Sequence, residues 1–127
     1  MYAIDATSGI LTALSTPTIA TGLSPTSITV NSAGTFAYVA NYSSSTISMY
    51  AINATTGILT ALSKPTIDTG LSPSSITVNH AGAFAYVANT GDDTLSMYAI
   101  NATTGVLTAL STPTVATGGS PWSITFK

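Results

Sequence analysis

Met1-Tyr2-Ala3-Ile4 returns as Met49-Tyr50-Ala51-Ile52 and again as Met97-Tyr98-Ala99-Ile100, so the chain repeats itself every 48 residues. Residues 1–48 and 49–96 are identical at 36 of 48 positions, and residues 97–127 depart from 49–79 at 8 of 31. A period of this length marks architectures in which one supersecondary unit cannot bury its apolar faces alone and stacks on copies of itself. Copies this alike can also satisfy one another's strand partners, which makes strand exchange and misassembly expected hazards.

The 127 residues suffice for one domain with a core, and 45% hydrophobic content excludes a disordered chain. Charge is scarce. Asp5, Asp68, Asp92, Asp93, Lys64 and Lys127 are the whole charged complement, with no Glu and no Arg. A net charge of −2 without a single Arg lacks the electrostatic footprint of a phosphate-gripping protein, so nucleic acid is not expected as a partner. The polar surface must come from Ser, Thr and Asn, which favour strands and turns, and the sequence reads as all-β. No Cys is present, which excludes a disulfide framework and thiol chemistry. No apolar run is long enough for a membrane span and no secretory signal opens the chain. Met1 occupies the repeat position of Met49 and Met97, so the chain starts in mid-unit, and either an exported bacterial or a cytoplasmic location fits.

Within one unit, Ser27-Ile28-Thr29-Val30 alternates polar and β-branched residues after Pro25, as a first strand should. Asn31-Ser32-Ala33-Gly34 is a tight turn, and Phe36-Ala37-Tyr38-Val39-Ala40-Asn41 is a second strand, apolar on both faces. A polar loop, Tyr42 to Ser45, leads to a third strand, Thr46–Ile52, and an Asx-type turn at 53–57 leads to a fourth, beginning at Ile58–Leu62. The segment holding Pro65, Gly70 and Pro73 then carries the chain to the next unit. Four short antiparallel strands per repeat, apolar on both faces, predict β-propeller blades. A parallel solenoid is the rival, disfavoured by the hairpin turn after Asn31 and by the length of the repeat.

The segments Gly34-Thr35-Phe36-Ala37-Tyr38-Val39-Ala40-Asn41 and Gly82-Ala83-Phe84-Ala85-Tyr86-Val87-Ala88-Asn89 resemble the Tyr-Val-Thr-Asn (YVTN) propeller repeat, with Ala40 and Ala88 replacing its Thr. The wider pattern, from Ser24-Pro25 through Thr46-Ile47-Ser48 to Thr56-Gly57, is similar to the lactonase-like propeller family, which includes 6-phosphogluconolactonase-like proteins. The resemblance implies the fold over essentially the whole chain, and for activity it implies little, because the matching residues are strand and turn positions.

The expected organisation is a single repeat domain of about 2.75 blades: leading third and fourth strands in residues 1–20, full blades at about 26–68 and 74–116, and a trailing first strand at 121–127. Such a sector has apolar faces and edges open at both ends. Strand exchange, with the trailing first strand joining the leading strands of the next chain, predicts a cyclic homo-oligomer of two or three chains, the dimer favoured. A fragment completed by blades supplied elsewhere is the alternative.

Differences between copies gather in the second-to-third loop (Tyr42 to Ser45 against Thr90-Gly91-Asp92-Asp93) and around the connection between units (Thr16/Lys64, Ala20/Asp68, Thr26/Ser74/Trp122). Both lie at the same end of a blade, where propellers carry function, although unrestrained loops drift as well. Trp122, Tyr42 and Asp68 are therefore the candidate ligand-binding residues. Trp122, the sole Trp, could offer a stacking surface or pack at an oligomer seam. Asp92 and Asp93 are the only metal-site candidates, and adjacent carboxylates on a loop tip are as a rule merely solvated. His80 falls in a turn at the opposite end. Lactone opening needs a base or metal and an oxyanion donor. The charged residues, such as Glu, Arg and His near the central channel, that the resemblance implies for lactonases have no counterparts here. The chain is expected to be a non-catalytic structural or interaction module without a cofactor, the alternative being a fragment of a lactonase-like hydrolase.

Overall fold

The computed structural model describes residues 1–126 and contains ten strands: β1 (Tyr2–Ile4), β2 (Leu11–Ala13), β3 (Pro25–Val30), β4 (Phe36–Asn41), β5 (Thr46–Ile52), β6 (Leu59–Asp68), β7 (Pro73–Val78), β8 (Phe84–Asn89), β9 (Thr94–Ile100) and β10 (Leu107–Ala116). Each strand pairs antiparallel with its sequence neighbour within a sheet, giving a β1–β2 hairpin and two four-stranded sheets, β3-β4-β5-β6 and β7-β8-β9-β10. The fold is all-β, without a helix among the described residues, and consequently with no helix long and apolar enough to cross a membrane.

The second and third strands occupy the expected residues, because an apolar run bounded by Asn-rich turns leaves little choice of register. The fourth strand runs further than expected, through Pro65 and Pro113 to Asp68 and Ala116. Between Ala61 and Thr66 the ladder shifts, so that residues 62–65 bulge opposite Met49. The same shift separates Ala109 from Thr114. The fourth strand is the sheet edge, where a proline's missing N–H costs no ladder bond and a bulge is tolerated.

The trailing segment departs from expectation. Residues 121–126 form no strand, and Lys127 lies outside the described residues. A strand is defined by its ladder, and among the described residues no second strand pairs with this segment as β4 pairs with β3. The segment nonetheless takes the place of a first strand: the Ile124 N–H reaches Ser75 Oγ as the Ile76 N–H reaches Ser27 Oγ.

The sheets stack face to face. Phe36, Tyr38, Ala40, Ile47 and Met49 on one side meet Ile76, Ala85, Val87, Tyr98, Ile100 and Leu107 on the other in a single apolar cluster. The opposite face of the first sheet, with Ala37, Val39 and Tyr50, packs with Ile19. Period-2 alternation thus splits β4 between two interfaces, which is why it is apolar throughout. At the ends the same positions are open: Ile28 is 59% exposed where its repeat mate Ile76 is 4% exposed.

Candidate functional site

The four-strand order places the β4–β5 and β8–β9 loops at the same end as the connections between units, and hydrogen bonds join them. Tyr42 N–H donates to the Ser24 carbonyl at 2.9 Å and Thr90 N–H to the Ser72 carbonyl at 3.1 Å. Each loop is clamped between the connection that enters its sheet and the one that leaves it. In the first sheet, Ser44 Oγ accepts from Leu23 N–H at 2.8 Å and Ser45 Oγ accepts from Ser72 N–H at 3.3 Å.

In the second sheet the same two positions hold Asp92 and Asp93. Asp92 Oδ2 accepts from Leu71 N–H at 3.0 Å, and Asp93 Oδ1 accepts from Ser120 N–H at 2.7 Å. The variable loop residues therefore share one structural task, and Ser and Asp are alternative acceptors for the same backbone donors. Asp92 also accepts the Thr94 hydroxyl at 2.7 Å. The two carboxylates are turned to different segments, and among the described residues no group of three His, Cys, Asp or Glu side chains gathers.

Tyr42 is half-buried at this end. Asp68 closes β6 with its side chain exposed, while its carbonyl accepts the Tyr98 hydroxyl at 2.6 Å. Burial pushes Tyr98 upward in pKa, the Ser96 hydroxyl opposing and the Asp68 charge adding to the shift. Trp122 is 66% exposed. It stands at the repeat position where Thr26 and Ser74 donate to the carbonyls of Pro73 and Pro121, each at 3.0 Å. An indole has no hydroxyl to continue that series. Among the described residues no pocket opens. Trp122, Tyr42 and Asp68 thus share an end of the molecule without lining a common cavity. His80 is exposed in the β7–β8 turn at the other end.

Two features were not singled out in the sequence. Asn41 and Asn89, which end β4 and β8, are fully buried, and each Nδ2 bridges two hydroxyls of the next strand: Thr46 and Ser48 for Asn41, Thr94 and Ser96 for Asn89. Their Oδ1 atoms have no partner. Gly22 and Gly70 pass so close that a Cβ would lie 2.7 Å from Asn41 Cγ and 2.6 Å from Asn89 Nδ2. A polar residue identical in both copies within an otherwise apolar strand was the available signal.

The second feature is the joint between sheets. Tyr38 Oη donates to the Gly105 carbonyl at 2.8 Å, the Leu107 N–H approaches Met49 Sδ at 3.4 Å, and Tyr98 Oη reaches back to Asp68. Tyr50 Oη to the Ala20 carbonyl, and Leu59 N–H to Met1 Sδ, repeat two of these one unit earlier.

Antiparallel four-stranded sheets, stacked face to face and stitched by the same bonds at each step, are the blades of a β-propeller. The family model described as lactonase, seven-bladed β-propeller, matches residues 1–126, and the chain belongs to this family. Solved structures agree on the fold. A protein of Bacteroides fragilis described as a candidate 6-phosphogluconolactonase superposes with TM-score 0.84 at 19% identity, over 96% of this chain and 34% of that one. A Lactobacillus plantarum protein gives 0.80 at 26% identity, over 96% and 36%. The periplasmic gluconolactonase of Pseudomonas aeruginosa gives 0.76 at 22% identity, over 94% and 34%. The chain therefore spans about a third of the length of these proteins. No curated protein sequence matches it.

Proposed function

We propose that the chain is a non-catalytic propeller sector, a structural and interaction module whose two open faces are completed by further blades of the same kind. The observation that carries this reading is the contrast between equivalent positions. Phe36, in the middle of the stack, is 9% exposed, whereas Phe84, at its end, is 38% exposed. A sheet face built to be covered is covered only in part, where Phe126 meets Tyr86, and burying the rest is the driving force for completion. The chemistry available supports the same reading: with no Glu or Arg, carboxylate and imidazole acid–base work would rest on four Asp and one His. Asp92 and Asp93 are engaged by backbone donors, and His80 faces solvent at the end remote from the variable loops. A bound small molecule is expected, if at all, at the rim near Trp122, Tyr42 and Asp68, with the exposed indole as the stacking surface.

Family membership favours a second reading, a sector of a lactonase-like hydrolase whose catalytic groups sit on other blades. Assaying the purified chain on gluconolactone and 6-phosphogluconolactone separates the two. No turnover above buffer is expected, and turnover that survives repurification would establish the hydrolase reading instead.

A further inference from the structure

The sheet-to-sheet joint recurs every 48 residues, and the chain carries both halves of one more joint. On the trailing face of the second sheet, Phe84, Tyr86 and Met97 repeat Phe36, Tyr38 and Met49. On the leading hairpin, Tyr2, Gly9 and Leu11 repeat Tyr98, Gly105 and Leu107. Within the chain Tyr86 meets the edge of the Phe126 ring of the trailing segment, centroids 5.3 Å apart, but among the described residues neither set makes the hydrogen bonds of the internal joint. Tyr2 is 63% exposed, and a Cβ placed on Gly9 would meet nothing within 4 Å, whereas one on Gly105 would meet the Phe36 ring at 2.3 Å.

We propose that the trailing face of β7–β10 docks the β1–β2 hairpin of a second copy of this chain, head to tail. The proposal deepens the reading above and rests on it. Translating the internal joint by one repeat specifies the contacts. Tyr86 Oη donates to the partner's Gly9 carbonyl as Tyr38 does to Gly105. The partner's Leu11 N–H approaches Met97 Sδ as Leu107 N–H does Met49. The partner's Tyr2 Oη reaches the Ala116 carbonyl as Tyr98 reaches Asp68. Phe84 covers the partner's Gly9 as Phe36 covers Gly105. A second copy is the fitting occupant because it supplies this set residue for residue, and neither face carries a charge at these positions to oppose contact. The docking is sheet on sheet and exchanges no strand. Each copy brings two four-stranded sheets and, in its leading hairpin and its trailing segment, one half of each of two junctions, so two copies close a ring of about six stations, one fewer than the seven blades of the family and inside the range of four to eight that propellers use. Three copies would make about nine, outside that range.

Two glycines provide the test. Gly9 and Gly57 sit in equivalent turns with φ of +71° and +70°, a conformation that Asn tolerates. Gly9 lies in the joint, while Gly57 faces the place where the junction has no second strand. Light scattering on the full chain at micromolar concentration is expected to give twice the chain mass for wild type and Gly57→Asn, and the single mass for Gly9→Asn with unchanged circular dichroism. A wild-type monomer or trimer, or a Gly9→Asn chain that dimerises like wild type, would overturn the proposal. Should Gly9→Asn lose its fold, Phe84→Ala is read the same way, with at least a tenfold weaker dimer expected and unchanged affinity counting against. Lactone assays on the same samples keep the two readings apart: turnover sinks the non-catalytic module, whereas a wild-type monomer without turnover sinks only the docking.

Discussion

Tyr38 in β4 and Gly105 in the β9–β10 turn, 67 residues apart in sequence, are joined by a 2.8 Å hydrogen bond from the phenol to the glycine carbonyl, buried at the seam between the two sheets. The tyrosine is fully buried, so the bond satisfies two polar groups at once. Tyr38→Phe leaves the carbonyl without its donor and is expected to cost about 1–3 kcal/mol in urea unfolding. Tyr86→Phe, in the monomeric Gly9→Asn background, is expected to stay within about 0.5 kcal/mol.

Gly105 should resist substitution more than its repeat mate Gly57. Both have positive φ, at +71° and +70°, so alanine is strained equally at either. Only at Gly105 would the added Cβ also enter the Phe36 ring, at 2.3 Å, whereas at Gly57 the nearest atom is Leu14 Cδ1 at 3.8 Å. Gly105→Ala is expected to be less stable than Gly57→Ala by about 1–3 kcal/mol, the usual cost of overpacking. Equal losses would mean that the Phe36 contact is not tight.

Alkaline pH should open the same seam. Burial raises the Tyr38 pKa from 10.0 to about 12. The unfolded state therefore releases its proton first, and stability that is whole below pH 10 is lost as pH rises toward 12. With about 1.4 kcal/mol per pKa unit, the loss amounts to roughly 2–3 kcal/mol. Urea unfolding of wild type and Tyr38→Phe across this window is expected to show the steeper decline in wild type.

Asp92 and Asp93 should be replaceable by the residues of the first copy. The double change Asp92→Ser, Asp93→Ser keeps an acceptor for Leu71 N–H and for Ser120 N–H, and is expected to cost less than about 1 kcal/mol. The double alanine variant loses both acceptors and is expected to cost about 1–3 kcal/mol, at roughly 1 kcal/mol per net hydrogen bond. Calcium titration of wild type is expected to give no saturable heat.

Strand identity was legible wherever side-chain pattern alone decides it. Phe36–Asn41 and Thr46–Ile52 stand as read because alternation and turn residues act locally. The length of β6 was not legible, since Pro65 signals a strand end unless the strand is known to be a sheet edge. The segment at 121–126 carries the right alternation, yet no ladder forms without a second strand beside it. At the variable end, the sequence showed that Asp92 and Asp93 differ from Ser44 and Ser45. It could not show that all four accept from backbone donors of neighbouring connections, because those donors lie 21 to 27 residues away. The sheet joint was hidden for a similar reason: Tyr38 and Gly105 look like an ordinary strand residue and an ordinary turn residue until the stacking brings them together.

Tyrosine nitration read by mass spectrometry tests most directly whether one joint recurs along the stack and stands open at its end. In folded Gly9→Asn, Tyr86 is expected to react and Tyr38 to stay protected, while in wild type at micromolar concentration both are expected to be protected. Tyr38 reacting as fast as Tyr86 in the folded chain, or Tyr86 reacting equally in both proteins, would contradict it.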